Sequence, residues 1–452
     1  MAVAAFLRGE QVVRKAKWLT PAGEPVLVRD FTKVDIVRKQ WRSNENMQVV
    51  EAKDGTALVG VANDPFLETK LPDVAKGPLL VSLRYRAEQF GKTFVYWRDA
   101  GEAFHPSRSV ESDIFASEEF VDISFFIDGN ASVASLRLDP FEDKGRMVLK
   151  NLIMTPLRLA REGAVCIPPS GDAVIRGPAL GSEIVVTTTS RLAGAIHSLT
   201  WKGQEFIDSH DHGRQLQSAS NFDAGSRFHA ETFNPTEAGS RNDGADSAST
   251  SRLLSISTTG NRLETISQMA FWLAPGQTSK GRTAKNKTLL SSHLLKKNLS
   301  IGHRNFPNIL PYDITFTVPP GENHRYAQFE VLTGYMPAEF SKFWKFVPES
   351  GKLAPLSDGP GEQPFPVVLS TPNGSHAMAC VPRESPSENF RGPGYGRFRY
   401  TSQKTVKWNI VYRLQNKQGI PPADYSFHLF VIIGDLETVR STLVEIGLPQ
   451  SR

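Results

Sequence analysis

This chain turns too often for long helices. Its 452 residues include 35 glycines and 30 prolines, and the apolar runs between them are short. Between residues 25 and 158 the runs VLVRDF, ALVGVAN, LLVSLRYRA, TFVYWRD, FVDISFFIDG and ASLRLDP are separated by Asp54-Gly55, Asn63-Asp64-Pro65 and Asp128-Gly129-Asn130. Alternating or β-branched, aromatic-rich segments bounded by such turns read as strands. No three-turn helical pattern interrupts them, which predicts a β-sandwich over 21–158.

The same texture resumes after 182. EIVVTTTSRL, AIHSLTWKG, RLLSISTTGN, RLETISQMAFW, PYDITFTVP, YAQFEVLTGY, PFPVVLSTP, TVKWNIVYRL and YSFHLFVIIG all read as β. So many consecutive strands over 183–452 predict one large sandwich of two broad sheets. Only PAEFSKFWKF and LETVRSTLVEIG carry helical spacing, and Asp435 is placed to cap the second. Residues 1–20 read as an arm and 159–182, rich in Pro, Gly and small residues, as the linker at the domain boundary, with part of it able to pair as a strand. The basic stretch 274–298, with His293 and Lys280, Lys285, Lys287, Lys296 and Lys297, reads as a solvated loop.

Hydrophobic residues make up 40% of the chain and charged residues 22%, with no apolar run long enough to span a membrane. The first residues lack a basic segment followed by a long apolar one, so no secretory leader is expected and a cytoplasmic location is. A net charge of +5 suits an acidic partner such as a uronate-bearing glycan, but more often it marks only an ordinary solvated surface. Cys166 and Cys380 lie far apart, in no metal spacing. Phosphate-loop, dinucleotide, nucleophile-elbow and zincin motifs are missing, as is any nucleic-acid-binding module. Nucleotide chemistry, serine esterase chemistry, zinc proteolysis and nucleic-acid binding therefore lose support.

Polar side chains concentrate in SHDHGRQLQSASNF and RFHAETFNPTEAGSRND, which hold His210, Asp211, His212, Arg214, Gln215, Gln217, Glu231, Asn234 and Glu237. Such a segment is loop rather than core strand, and loops at the end of a sheet commonly carry sites. Arg214 offers a fixed fork to hydroxyls or a carboxylate. Gln215, Gln217 and Asn234 both donate and accept, as sugar hydroxyls do. His210 and His212 are suited to proton transfer near neutral pH. The alternative is that Arg214 pins loops and Glu237 is a turn carboxylate. His303, Arg304 and Asn305 form a second polar group, and Trp272, Tyr335 and Tyr395 are aromatics placed to stack on a sugar ring. The His210-x-His212 pair is a weak metal signal, and neither metal nor cofactor is expected.

Residues 194–207 (GAIHSLTWKGQEFI), followed by Asp211-His212-Gly213-Arg214-Gln215-Leu216-Gln217, resemble the opening of a galactose mutarotase-like domain. The resemblance implies a β-supersandwich over 183–452, with the arginine of its Gly-Arg segment facing a sugar. Asn234-Pro235-Thr236-Glu237-Ala238-Gly239 points to a separate branch of that group. LRLDPFEDKGRMVLKNLIM and the strands before it resemble jelly-roll carbohydrate-binding modules. The group includes aldose epimerases and domains of glycoside hydrolases and polysaccharide lyases. Epimerases use a histidine acid and a late glutamate base, which this chain matches only in the loose likeness of Glu330 in AQFEVLTGY. The expectation is an enzyme that cleaves glycosidic bonds in a poly- or oligosaccharide. Hydrolysis would use paired carboxylates among Asp211, Glu231, Glu237 and Glu330. Elimination would use Arg214 or Arg304 against a uronate and His212 or Tyr335 as base. A non-catalytic carbohydrate-binding protein and an epimerase are the alternatives.

Overall fold

The computed structural model describes residues 11–386 and 389–449. The chain is nearly all β and divides into two compact units: Lys17–Ile167, and the residues up to Ala16 together with Pro168 onward.

The smaller unit is a sandwich. A five-stranded sheet includes Leu67–Lys76, Gly91–Arg98 and Ser132–Asp139, and an eight-stranded sheet is built on Leu79–Ala87 and Gly145–Ala160. Leu79–Ala87 shows why: its odd-numbered residues are all buried, so one face meets the core. Phe31, Trp41, Tyr85, Trp97 and Phe125 fill the space between the sheets. One helix, Val34–Gln40, was not expected. At seven residues with only Val37 buried, it is too short for its periodicity to stand out.

Two expected irregular segments, the arm and the basic loop, carry strands instead, and part of the expected linker pairs as strands while the boundary between the units falls inside it. Residues 1–10 of the expected arm lie outside the described residues, but 11–20 are ordered as strands. Val12–Lys15 pairs with Arg252–Thr259 in the larger unit, and Lys17–Pro21 pairs with Leu157–Ala160 in the smaller. Within the expected linker, Val165–Ile167 and Ala173–Ala179 are strands. In the expected basic loop, Thr278–Ser279 pairs with Arg282–Thr283, and Leu290–Ser300 is a long strand with His293 and Lys297 on its buried side.

Apart from the Thr278–Ser279 and Arg282–Thr283 ribbon, the strands of the larger unit form one continuous hydrogen-bonded network around Trp201, Phe222, Tyr312, Phe316, Phe329 and Trp408. Helix Leu436–Ile446 forms as the sequence indicates. The Asp435 carboxylate accepts from the Thr438 N–H at 2.8 Å, and Val439 and Leu443 are buried. The other expected helix is replaced by a strand, Lys342–Val347, paired on both sides with Lys352–Pro355 and Val367–Ser370. Aromatic spacing at Phe340, Phe343 and Trp344 mimics a helix, but two available strand edges capture the segment.

Candidate functional site

Four strands of the larger unit lie side by side: Leu216–Phe222, Tyr326–Pro337, Thr405–Gln415 and Phe390–Tyr400. Opposed residues in an antiparallel ladder share a face. One row across this face runs Gln217, Thr333, Asn409, Gly396, and the next runs Tyr335, Lys407, Phe398. Residues three apart in a strand normally point to opposite sides. A bulge between Glu330 and Leu332 cancels that rule, putting Glu330 on the same face as Thr333, whose hydroxyl donates to Glu330 Oε2 at 3.3 Å.

Three donors converge on that one oxygen. Besides Thr333, Asn409 Nδ2 lies at 3.2 Å and Lys407 Nζ at 3.5 Å. Glu330 Oε1 has no hydrogen-bond partner among the described residues, and the side chain keeps 20% of its exposure. Burial pushes this carboxyl up, but the Lys407 charge and the bonds from Asn409, Lys407 and Thr333 outweigh it and hold the pKa below its ordinary value. Glu330 is therefore an ionised carboxylate with one oxygen anchored and one available.

Lys407 sits between the rings of Tyr335 and Phe398, its Nζ 5.0 and 5.2 Å from their centroids. Burial lowers its pKa, while Glu330, Tyr335 and Tyr400 raise it further, so the ammonium persists. Tyr400 stacks on Phe398 with 7° between the planes. Its phenol is pushed up by burial and by the charges of Tyr335, Glu330 and Glu231, against the pull of Lys407. Glu231 stands in the left-handed region at φ 69°, held by Asn221 Oδ1 on its N–H (2.9 Å) and by the Ser279 hydroxyl on its carboxylate (2.6 Å).

Two amide oxygens in the first row, Gln217 Oε1 and Asn409 Oδ1, are buried without a partner. Unpaired buried acceptors are uncommon and are satisfied by a ligand or by water. Gly396 makes room for Asn409: a Cβ there would lie 2.1 Å from Asn409 Oδ1. Gly396→Ala is expected to displace Asn409, disturb any ligand binding at this face and cost about 1–3 kcal/mol of stability through overpacking. Calorimetric binding and urea unfolding of the same variant check both halves.

One row further on, where Thr405 stands opposite Pro337 and Tyr400, Arg214 donates to Asp211 Oδ2 at 2.7 and 3.1 Å and lies 3.4 Å from both Asp208 Oδ2 and Thr405 Oγ1. Asp208 N–H donates to the Tyr335 carbonyl (2.9 Å), fastening this cluster to the face. A depression of about 600 Å³ opens here, lined by Asp208, His210, Arg214, Pro337, Gln403 and Lys404.

Several expected site residues do other work. His212 is 1% exposed, with Nδ1 3.0 Å from the Gly244 carbonyl and Nε2 2.8 Å from that of Arg191. It is a cross-link between loops rather than an acid or base, and it is closed to a shared ion with His210. His212→Ala is expected to lose about 1–3 kcal/mol of stability through unpaired buried carbonyls. Urea unfolding of the variant checks this. Glu237, 1% exposed, is ion-paired with the fully buried Lys297 and accepts from Ser218 N–H at 3.0 Å, so it belongs to the core. Asp211 is the partner of Arg214 and caps Gly213 N–H (2.9 Å).

Gln215 is fully buried and donates to the Asp211 carbonyl. Asn234 donates to the Ser220 carbonyl at 2.7 Å, bracing neighbouring segments. Trp272 packs on Gly213, where an added Cβ would meet its ring at 2.8 Å. His303, Arg304 and Asn305 do not join Arg214. They form a tight turn closed by reciprocal His303–Phe306 backbone bonds of 2.9 Å, with the His303 ring 4.8 Å from Phe430. Tyr395 is buried on the core side of its strand.

The sequence reading missed Thr333, Phe398, Tyr400, Lys407 and Asn409. The available signal was TVKWNIVYRL, a strand buried along nearly its whole length, yet holding Lys407 and Asn409. Buried polar groups in such a strand require partners.

No protein-family model matches this sequence, and no curated protein does. Among solved structures, a variant of a family 29 carbohydrate-binding module is 14% identical, covering 32% of this chain and 95% of its own at a TM-score of 0.24. The xylan-binding module CBM15 is 11% identical, covering 31% and 99% at 0.23. CBM86, a low-affinity xylan-binding module from the gut symbiont Roseburia intestinalis, is 12% identical, covering 29% and 96% at 0.22.

Proposed function

We propose that this chain is a carbohydrate-active enzyme that cleaves glycosidic bonds in a poly- or oligosaccharide at the face carrying Glu330, Lys407 and Arg214. The observation that carries the reading is the Glu330 carboxylate, anchored through one oxygen, beside the two unpartnered amide oxygens of Gln217 and Asn409. Sugar hydroxyls donate to both kinds of acceptor, and the rings of Tyr335 and Phe398 add apolar surface. The likeness of residues 194–217 to galactose mutarotase-like domains points the same way.

For hydrolysis, Glu330 serves as base or nucleophile. Glu231, which the sequence also offers as a carboxylate, is assigned the second role of the pair. A second reading, elimination from a uronate, is favoured by the grouping of Lys407 with Tyr335 and Tyr400. There the ammonium neutralises the uronate and a phenol relays the proton.

A panel of neutral and uronate-bearing glycans, read by chromatography and by the ultraviolet absorbance of unsaturated products, separates these outcomes. New reducing ends without that absorbance mean hydrolysis, and with it elimination. Retained binding without cleavage would reduce the chain to a carbohydrate-binding protein. No binding to any glycan would remove the proposal altogether.

A further inference from the structure

Away from the polar face, His293 on strand Leu290–Ser300 meets Glu322 and His324 in the turn before Tyr326–Pro337. Both imidazole Nε2 atoms lie 2.7 Å from the same Glu322 Oε2, and the three atoms fall within 4.8 Å of one another. The imidazoles are buried, with side-chain exposures of 2% and 1%, while Glu322 keeps 22%. Phe222 packs on both rings at centroid distances of 4.9 and 4.5 Å, and Phe233 packs at 6.2 and 5.2 Å. Their orientation is thus fixed by packing rather than by chance surface contact.

We propose that His293, Glu322 and His324 hold a divalent transition ion of the zinc type. Two imidazole nitrogens and one carboxylate oxygen are a ligand set that zinc takes and that magnesium and calcium do not favour. A fourth position is left for water. The ion also answers an orphaned atom. His324 Nδ1 is buried with no hydrogen-bond partner, and Asp223 Oδ1 lies 3.9 Å from it. With Nε2 on a metal, Nδ1 carries the proton and faces that carboxylate, which is how metal-bound histidines are ordinarily oriented. Asp223 opens the 223–234 segment that contains Glu231, and Lys285 Nζ ties the carbonyls of Asp223 and Arg227 at 2.7 Å each. The ion would therefore fasten this segment to its neighbours. Metal uptake itself does not depend on the saccharide reading, since the three ligands are read from their own geometry.

The test uses the full chain, stripped with EDTA and titrated with Zn2+ or Co2+ alone. The readouts are metal per chain by mass spectrometry, the visible spectrum of the Co2+ form and the thermal unfolding midpoint. About one equivalent should bind, raising the midpoint and giving the intense absorption of a four-coordinate cobalt site. Glu322→Gln and His324→Ala should each abolish stoichiometric uptake. Asp223→Asn should weaken it about 10- to 100-fold, and His105→Ala, an exposed histidine in the other unit, should change nothing. If His324→Ala does not fold, Glu322→Gln decides, because that side chain is partly exposed. Folded wild type that takes up neither ion, or Glu322→Gln that binds as wild type does, overturns the proposal.

Discussion

Under the proposed glycan cleavage, Glu330→Gln is expected to lower kcat/KM by about 10²- to 10⁴-fold, the range over which a positioned base contributes. The unfolding midpoint should fall as well, because the charge that pairs with the buried Lys407 is removed. Glutamine keeps the shape of the side chain and still accepts from Thr333, Asn409 and Lys407, so the loss isolates the charge. The pH dependence gives an independent check. The Glu330 pKa is depressed in the folded chain, so the acid limb of kcat/KM should fall below the ordinary glutamate value. Lys407→Met removes the largest downward influence and leaves burial, which acts upward, so that limb should move to higher pH. The linked stability has a definite sign. A group whose folded pKa lies below its unfolded value stabilises fully above the unfolded pKa, and that contribution fades as pH falls through the folded one. An acid limb unmoved by Lys407→Met would mean that Glu330 is not the titrating group.

Removing one partner of the buried Glu237–Lys297 pair should have the largest effect on stability. Lys297 is fully buried and Glu237 is 1% exposed. The phenol of Tyr312 nearby is pushed well up by burial and by the Glu237 charge. Lys297→Met should cost about 3–5 kcal/mol because it leaves a carboxylate uncompensated in the core. The double change Lys297→Met with Glu237→Leu should recover most of that loss, since an apolar pair of similar volume needs no desolvation. Urea unfolding of the two single variants and the double variant completes the cycle. A loss below about 1 kcal/mol for Lys297→Met would contradict the enclosure described for this pair.

These two experiments separate residues that look alike in sequence. Glu237 and Glu330 are both glutamates among β-rich segments, and the denser polar neighbourhood belongs to Glu237. Local polarity ranks Glu237 as the better site candidate, yet its partner lies 60 residues away on Leu290–Ser300 and encloses it. Lys297 itself looks like one lysine of a solvated basic loop. It is buried because its strand alternates and the core offers it a carboxylate. His212 misleads in the same way, because its two ring nitrogens find backbone carbonyls 21 and 32 residues away.

Period-two alternation, frequent Gly and Pro turns and one capped C-terminal helix were properties of short stretches, so the sequence alone determined a nearly all-β chain. It also placed Arg214, Gln217 and Tyr335 among the residues worth inspecting. Which polar groups share a surface is a matter of register between distant strands. One bulge beside Glu330 turns that carboxylate onto the face of Thr333, Lys407 and Asn409. Nothing within a single strand specifies that pairing; the fold decides it, because a one-residue slip sends a side chain from solvent to core.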